Sequence, residues 1–227
     1  TDGSITSSVS ANPTAGFSIA TYTGNNTAEA TIGHGLSQTP DWVIIKDRDN
    51  DSTQWVHNPF GAFGSNYYGY FTTGAFAADS SNVFWYSPTA SVVKVSAHSE
   101  VNASSTAYVM YCFHSVEGYS KVGVYEGNGD ADGPFVYTGF KPAYVLIKVS
   151  SYTWNWYLQD GVRNPYNPVS KRINPNLSGQ EYSGTVLCDY LSNGFKVRHS
   201  DTSQNKDGED YLFLAFAESP FKTSNAR

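Results

Sequence analysis

The sequence predicts an all-β fold made of two tandem, pseudo-equivalent antiparallel β-sandwich modules of the jelly-roll or lectin-like kind. Helix signals are nearly absent, because no window repeats apolar residues at helical spacing over three turns. Short β-branched and aromatic runs recur instead, each bounded by Gly, Asn, Asp, Ser or Pro. Aromatic residues make up 15% of the 227 residues, as many as the charged residues, which suits a chain that buries a core.

The first 16 residues differ in composition from the rest. Seven of them are Ser or Thr and none is aromatic, which predicts a linker or extended arm at 1–16. Strands are then expected, in order, at Phe17–Thr23, Trp42–Lys46, Gln54–His57, Val92–Ala97, Ala107–His114, Lys121–Tyr125, Phe135–Thr138, Tyr144–Val149, Trp154–Gln159, Gly194–His199 and Tyr211–Ala217. Several are apolar on both faces, as in Val43–Ile45 and Val145–Ile147, which is typical of strands held between two layers.

An internal repeat organises the chain. Its four blocks keep their order and an offset of 102 or 103 residues. The matched blocks are Tyr22–Asn25 with Tyr125–Asn128, Pro40–Lys46 with Pro142–Lys148, Val93–Val95 with Phe195–Val197, and Asn102 plus Tyr108–Phe113 with Asn205 plus Tyr211–Phe216. The chain is therefore expected to duplicate a module of about 100 residues. The boundaries place β-sandwich module 1 at 17–118 and module 2 at 119–227.

The repeated blocks carry folding signals. The Tyr-x-Gly-Asn block predicts a turn in which Gly and then Asn take positive φ. Lys46 and Lys148 each end a buried strand and are expected to bring an ammonium group to the surface. None of the repeated positions indicates catalysis.

Charge and hydropathy exclude several classes of partner. The chain has 14 Lys and Arg against 20 Asp and Glu and no basic run, so nucleic acid is not a predicted partner. The longest apolar run, Ala107–Phe113, is far short of the roughly 20 residues of a membrane helix, so no membrane insertion is predicted. The chain starts at Thr1 without a leader pattern, so we expect it to be processed or cut from a longer protein. Two cysteines, Cys112 and Cys188, are too few for a disulfide framework.

Two acidic loops carry the pattern of a calcium site in part. Asp49 and Asp51 alternate in the first loop, but the Gly and the terminal acidic residue of a calcium loop are missing. Asp130 and Asp132 lie in a closer match that has the Gly but ends on Gly139. A polar hairpin loop is the favoured interpretation, with bound calcium as the alternative and no other cofactor predicted. The five histidines lack metal-ligand spacing.

No catalytic pattern stands out, and the aromatic residues are the better indication of function. The chain contains no G-x-S-x-G, no Cys-His signature and no Gly-rich phosphate loop, so a non-enzymatic protein is expected. Trp55, Trp154 and Trp156 lie in or beside polar segments, where an exposed ring can stack on a sugar. Tyr67 and Tyr68 form a second exposed-aromatic candidate or an interface patch. The alternative is that these rings close the end of the core.

Several long blocks resemble a repeat domain of bacteriophage tail fibres and other virion appendage proteins, frequent in marine and cyanobacterial phages. The resemblance covers nearly the whole chain and rests on Thr1–Thr6, Ala11–Ser18, Thr21–Gly24, Ile32–Leu36, Val116–Lys121, Gly127–Phe135, Arg163–Pro168 and Phe213–Phe221. It implies a virion-associated, lectin-like or spacer module of a longer, often trimeric, fibre. The implied partners are host cell-surface glycans or other virion proteins, and the implied location is the virion surface or the extracellular medium.

The first hypothesis is therefore a non-enzymatic virion structural and adhesion protein that binds host-surface glycans through aromatic loops. It is expected to form a homo-oligomer such as a trimer. The alternative is a carbohydrate-binding module or a glycan-active extracellular enzyme, which would need two facing carboxylates in a cleft. A second alternative is a capsid-decoration or filament subunit, whose N-terminal arm pairs with a neighbouring sheet edge.

Overall fold

The computed structural model describes residues 2–51, 55–64, 67–79 and 84–220. Over these residues the predicted all-β class is confirmed, since every sheet is antiparallel and the two helices, α1 (Phe60–Phe63) and α2 (Ser99–Asn102), are single turns. The chain divides into two compact units. Unit 1 holds the described residues up to Phe71 together with Phe76–His114, and unit 2 holds Thr72–Ala75 and the described residues from Ser115 onward.

Unit 1 contains ten strands among its described residues. They are β1 (Ser7–Asn12), β2 (Phe17–Thr23), β3 (Ala30–Gly33), β4 (Trp42–Asp47), β5 (Val56–Asn58), β6 (Tyr67–Tyr70), β7 (Ala77–Ala78), β8 (Trp85–Tyr86), β9 (Val92–Val95) and β10 (Ala107–Phe113). One sheet has the order β1-β2-β10-β4-β5-β6-β7, and the second has the order β3-β9-β8.

The core of unit 1 lies between its two sheets. Strands β2 and β10 alternate between buried and partly exposed residues, which is the two-residue period of a strand with one face on a core. Tyr22 and Met110 come from the larger sheet, and Val93 and Val95 from the smaller one, and all four belong to one buried cluster. The two sheets therefore close over a single core, as the sandwich prediction requires.

Unit 2 contains seven strands among its described residues. They are β11 (Ser120–Glu126), β12 (Phe135–Tyr137), β13 (Pro142–Val149), β14 (Tyr157–Asp160), β15 (Cys188–Leu191), β16 (Gly194–Val197) and β17 (Asp210–Ala217). Their sheets have the orders β11-β17-β13-β14 and β12-β16-β15. Tyr125 and Phe213 from the first sheet share a buried cluster with Val136 and Phe195 from the second.

The two units have the same strand topology. Order β2-β10-β4-β5 in unit 1 corresponds to β11-β17-β13-β14 in unit 2, and β3-β9-β8 corresponds to β12-β16-β15. The corresponding strands also follow each other in the same chain order. Three strands of unit 1, β1, β6 and β7, have no counterpart among the described strands of unit 2.

A buried asparagine fixes the same turn in each unit. In unit 1, Asn102 accepts from the N–H of Asn25 (2.9 Å) and donates to the carbonyl of Thr27 (2.9 Å). In unit 2, Asn205 accepts from the N–H of Asn128 (2.9 Å) and donates to the carbonyl of Asp130 (2.6 Å). Both side chains are fully buried, so these bonds replace water for groups that would otherwise be unsatisfied.

A stacked tyrosine pair lies beside each asparagine. The rings of Tyr22 and Tyr108 are 5.2 Å apart in unit 1, and those of Tyr125 and Tyr211 are 5.1 Å apart in unit 2. The hydroxyl groups of Tyr22 and Tyr125 donate to the carbonyls of Val101 (2.6 Å) and Gln204 (2.8 Å), which are the residues before the two asparagines. The sequence repeat is thus reproduced at the level of individual contacts.

The glycine of the Tyr-x-Gly-Asn block is needed for close approach and does not adopt a positive φ. A Cβ on Gly24 would lie 2.1 Å from the carbonyl oxygen of Ala103, and one on Gly127 would lie 2.3 Å from that of Lys206. Neither glycine is among the residues with positive φ, whereas Asn26 and Gly129, further along the two turns, are. The turn was predicted correctly, but the positive φ predicted for its Gly and its Asn was wrong, since Asn25 and Asn128 are not among these residues either.

Two further expectations differ from the structure. The stretch expected to be a linker or arm contains β1, which pairs with β2 along all six of its residues, from Ser7 with Tyr22 to Asn12 with Phe17. Lys148 does not reach the surface but is fully buried, and its Nζ donates to the carbonyls of Val149 (2.7 Å) and Tyr152 (3.1 Å).

Cys112 and Cys188 are both buried free thiols, one in the core of each unit.

Candidate functional site

Unit 2 displays two aromatic side chains on the loop between β13 and β14. Tyr152 and Trp154 are each 38% exposed, although Trp154 was predicted to begin a strand. Lys148, near the end of β13, anchors this loop, because its ammonium donates a hydrogen bond to the carbonyl of Tyr152. Burial lowers the pKa of Lys148 to about 8, because the protein interior disfavours the charged form.

The indole of Trp154 is oriented by a chain of polar and aromatic contacts. Its Nε1 donates to the hydroxyl of Tyr157 (3.0 Å). The guanidinium of Arg172 lies over the ring of Tyr157 (4.3 Å to the centroid) and also faces the ring of Tyr182 (5.0 Å). Such cation–π contacts hold a planar cation in place beside the rings, and the Nε of Arg172 is buried there. The exposed Tyr182 adds a third ring near the surface.

Charged groups flank Tyr152. The ammonium of Lys206 lies 3.7 Å from the centre of the Tyr152 ring and donates a hydrogen bond to its hydroxyl, which raises the pKa of Lys206. Glu209 accepts a hydrogen bond from the Ser151 hydroxyl, and this bond, with Lys206 nearby, lowers the pKa of the Glu209 carboxyl. A cation and an anion, both ionised at neutral pH, therefore lie next to the exposed ring.

We call Tyr152, Trp154, Arg172, Tyr182, Lys206 and Glu209 the aromatic loop cluster. It combines ring faces with hydrogen-bond donors and acceptors at the surface, which is the combination that sugar recognition needs: rings stack on C–H faces and polar groups bind hydroxyls. Of its six members the sequence predicted only Trp154. Tyr152 lies in the same polar segment, but Arg172 and Tyr182 come from the long connection between β14 and β15, where no spacing links them to the loop.

The structure separates the other predicted aromatic residues. Trp156 has no exposed surface, so its prediction as a glycan-binding residue is corrected: a ring with no accessible face cannot stack on a sugar. Tyr68 is half-buried and packs against the core of unit 1 with its ring 4.6 Å from that of Phe84, and its role in glycan binding stays a prediction. Trp55 and Tyr67 remain exposed, both in unit 1.

The first acidic loop is occupied by its own hydrogen bonds. Asp47 accepts from the N–H groups of Asp49 (2.8 Å) and Asn50 (3.2 Å). The carboxylate of Asp49 accepts from the N–H of Ala107 (2.7 Å), and Asp51 lies exposed at the border of the described residues. These bonds are typical of an Asx-type turn, the favoured interpretation of this loop.

The second acidic loop is held in the same way. Asp130 accepts from the N–H of Asp132 (2.8 Å), and Asp132 pairs with Lys196 (2.9 Å) and Arg198 (3.5 Å). The Lys196 hydrogen bond lowers the pKa of the Asp132 carboxyl. Within the described ranges no group of three or more His, Cys, Asp or Glu residues is placed to hold a metal ion, so calcium binding stays a prediction.

The fold and the cluster together describe an all-β protein of two units with the same topology, one of which displays a polar aromatic surface. The chain belongs to the family DUF7483, a domain of unknown function, whose profile matches residues 1–220. Comparisons with curated proteins and with solved structures gave no match. None of the helices in the described part of the chain is long and apolar enough to cross a membrane.

Proposed function

We propose that this protein is a non-enzymatic structural and adhesion module that binds a host-surface glycan through the aromatic loop cluster. The observation that carries the proposal is the joint exposure of Tyr152 and Trp154 on one loop, with charged side chains beside them. A soluble protein that exposes large aromatic rings loses the free energy that their burial would contribute, so such rings commonly mark a binding surface.

The chemistry of the cluster favours a shallow and weak site. An indole face offers an apolar platform for the C–H face of a pyranose, and Lys206, Glu209 and Arg172 offer both donors and acceptors to its hydroxyls. Trp55, which is 40% exposed directly before β5 in unit 1, is the candidate for a second weak site on the same chain. Two weak sites that reach one surface bind with higher avidity than either alone.

The setting in which this module works is part of the proposal. The resemblance to phage tail-fibre repeats supports a place on the virion surface, as one part of a longer, oligomeric fibre, with host glycans or other virion proteins as partners. The acidic net charge of −6 supports a carbohydrate rather than a nucleic-acid partner.

The test is a glycan-array screen of the purified chain and of Trp154→Ala, with Tyr166→Ala as matched control. Tyr166 is 82% exposed in the same unit but is not a member of the cluster. Loss of a stacking ring should weaken binding about tenfold or more, equivalent to about 1.4 kcal/mol, whereas the control should bind like the wild type. Equal binding by Trp154→Ala and the wild type would refute the site.

Two further arms separate the alternatives. Trp55→Ala reports whether unit 1 contributes, and repeating the screen with a chelator reports whether calcium is required. Release of shortened glycan during incubation would identify a glycan-active enzyme and would contradict the non-enzymatic part of the proposal.

A further inference from the structure

The equivalent sheet edge is covered by a strand in unit 1 but not by any described strand in unit 2. In unit 1 the outer side of β2 is covered by β1, which pairs with it residue by residue. In unit 2 the corresponding strand β11 is the terminal strand of its sheet. The chain reaches β11 from β10 through only the six residues 114–119, so the connection directly before β11 is too short to fold back as a strand of the length of Ser7–Asn12.

Part of the outer side of β11 is not covered by any of the described residues. At its start, Ser120 exchanges two backbone hydrogen bonds with Val116, and the N–H of Val122 donates to Ser115 Oγ (3.1 Å). Because backbone groups alternate between the two sides of a strand, the N–H and C=O of Val124 point the same way as the N–H of Val122, away from β17. The side chain of Val124 is 41% exposed.

Strand β1 offers a matching edge. It is the terminal strand of the larger sheet of unit 1, and its residues Ser8, Ser10 and Asn12 lie opposite the outward-facing residues of β2. By the same alternation, the backbone groups of Val9 and Ala11 point away from the sheet. Neither β1 nor the centre of β11, Val122–Val124, carries a charge or a proline, the usual means of blocking edge pairing.

We propose that β11 of one chain pairs edge to edge with β1 of a second copy, which joins copies head to tail through backbone hydrogen bonds. The occupant of the β11 edge is inferred from the molecule itself: one side of β1 covers the equivalent edge in unit 1, and its other side, at Val9 and Ala11, pairs with no other described strand. The contact is heterologous, since it uses a different surface of each partner. It does not depend on glycan binding.

The test is sedimentation equilibrium across a range of protein concentrations for the wild type, Val124→Pro and Val9→Pro. Proline removes the outward N–H and is tolerated at sheet edges, so both variants should fold, which far-UV circular dichroism checks. The wild type should associate as concentration rises. Each proline variant alone should associate at least about tenfold more weakly, the effect of losing one or two edge hydrogen bonds.

Mixing the two variants tests the pairing rule directly. Val9→Pro keeps an intact β11 and Val124→Pro keeps an intact β1, so an equimolar mixture should form a one-to-one complex that neither variant forms alone. Val124→Thr keeps the backbone N–H and should associate like the wild type.

Three results would overturn the proposal. The first is a wild type that stays monomeric at every concentration. The second is self-association of Val9→Pro as strong as that of the wild type, which would indicate pairing of β11 with β11. The third is loss of association in Val124→Thr, which would indicate contact through the side chain instead of the strand edge.

Discussion

Lys148 is the residue whose environment departs most from its chemical preference. Its ammonium group is fully buried in the described structure and binds two carbonyl groups, Val149 O and Tyr152 O, so that it ties the aromatic loop to the end of β13. The charge that fixes the loop therefore destabilises the folded state at neutral pH, because burial favours the neutral amine.

This cost predicts a pH dependence of stability. The pKa of Lys148 is about 8 in the folded protein and 10.5 ordinarily, so the unfolded chain binds more protons between these values and stability rises with pH there. Relative to Lys148→Met, the free energy of unfolding of the wild type should increase by about 2 kcal/mol between pH 7 and pH 9.5. Urea denaturation of both proteins at each pH measures the difference.

Comparing the wild type with Lys148→Met removes the contribution of the other titrating groups to the pH dependence of stability. Burial raises the pKa of Cys112, Cys188 and several tyrosines, which lowers stability as pH rises, but those groups are present in both proteins and cancel in the difference. A difference that stays constant with pH would show that Lys148 is not the group responsible.

At the scale of elements, the end of β2 and the end of β11 each pass directly against a backbone carbonyl. Gly24 and Gly127 permit this, since a Cβ at either position would meet a carbonyl oxygen at 2.1 or 2.3 Å. Backbone atoms cannot rotate away as a side chain can, so an added methyl group must displace the strand end or the loop after the buried asparagine.

The substitutions Gly24→Ala and Gly127→Ala should therefore each destabilise the protein by about 1–3 kcal/mol. Gly74→Ala is the matched control, because the nearest atom to its Cβ is Thr72 Oγ1 at 3.4 Å, and it should change stability by less than about 0.5 kcal/mol. Thermal and urea unfolding of the three variants measure these values. If Gly24→Ala or Gly127→Ala is as stable as the wild type, the turn relaxes around the added methyl group at little cost in free energy.

Sequence patterns predicted the elements unevenly. The strand prediction at Phe17–Thr23 matches β2, and Tyr211–Ala217 lies within β17, because β-branched and aromatic runs bounded by turn residues favour strands. Strand β1 was not predicted, because its Ser-rich sequence has the composition of a linker, and the pairing with β2 that makes it a strand leaves no local sequence pattern. The prediction at Gln54–His57 lies partly outside the described residues, and Val56–Asn58 forms β5.

The candidate site was less predictable than the fold. Trp154 and Trp156 stand two positions apart in one polar segment, yet the first is exposed and the second fully buried. Composition cannot separate them, since their different burial follows from the point at which the loop enters β14. Arg172 and Tyr182 are paired by two backbone hydrogen bonds, and no local sequence pattern predicts this pairing.

At the scale of the whole molecule, each unit contains its own core and its own buried thiol. Cys112 belongs to the buried cluster of unit 1 and Cys188 to that of unit 2. Alkylation requires an exposed thiolate, so the rate at each cysteine reports the opening of the unit that contains it. The asparagines of the repeat offer a way to open one unit at a time.

Asn102→Ala should accelerate alkylation of Cys112 far more than that of Cys188, and Asn205→Ala should do the reverse. Each substitution removes several buried hydrogen bonds and should cost about 2–4 kcal/mol locally. Asn193→Ala is the matched control, because Asn193 is exposed and should leave both rates unchanged. Mass spectrometry of the alkylated peptides gives both rates, and equal acceleration at both cysteines would mean that the two units open together.

The terminal position of β11 also determines the polarity of the assembly that the proposed pairing would form. If copies join through β11 and β1, a linear assembly has a free β1 at one end and a free β11 at the other. The assembly is therefore polar, and a heterologous contact of this kind does not by itself close it into a ring. A copy with a blocked β11 and an intact β1 would attach to the end with the free β11 and leave nothing for the next copy to bind. Such a copy would therefore act as a chain terminator at that end and lower the mean length of the assemblies in proportion to its amount.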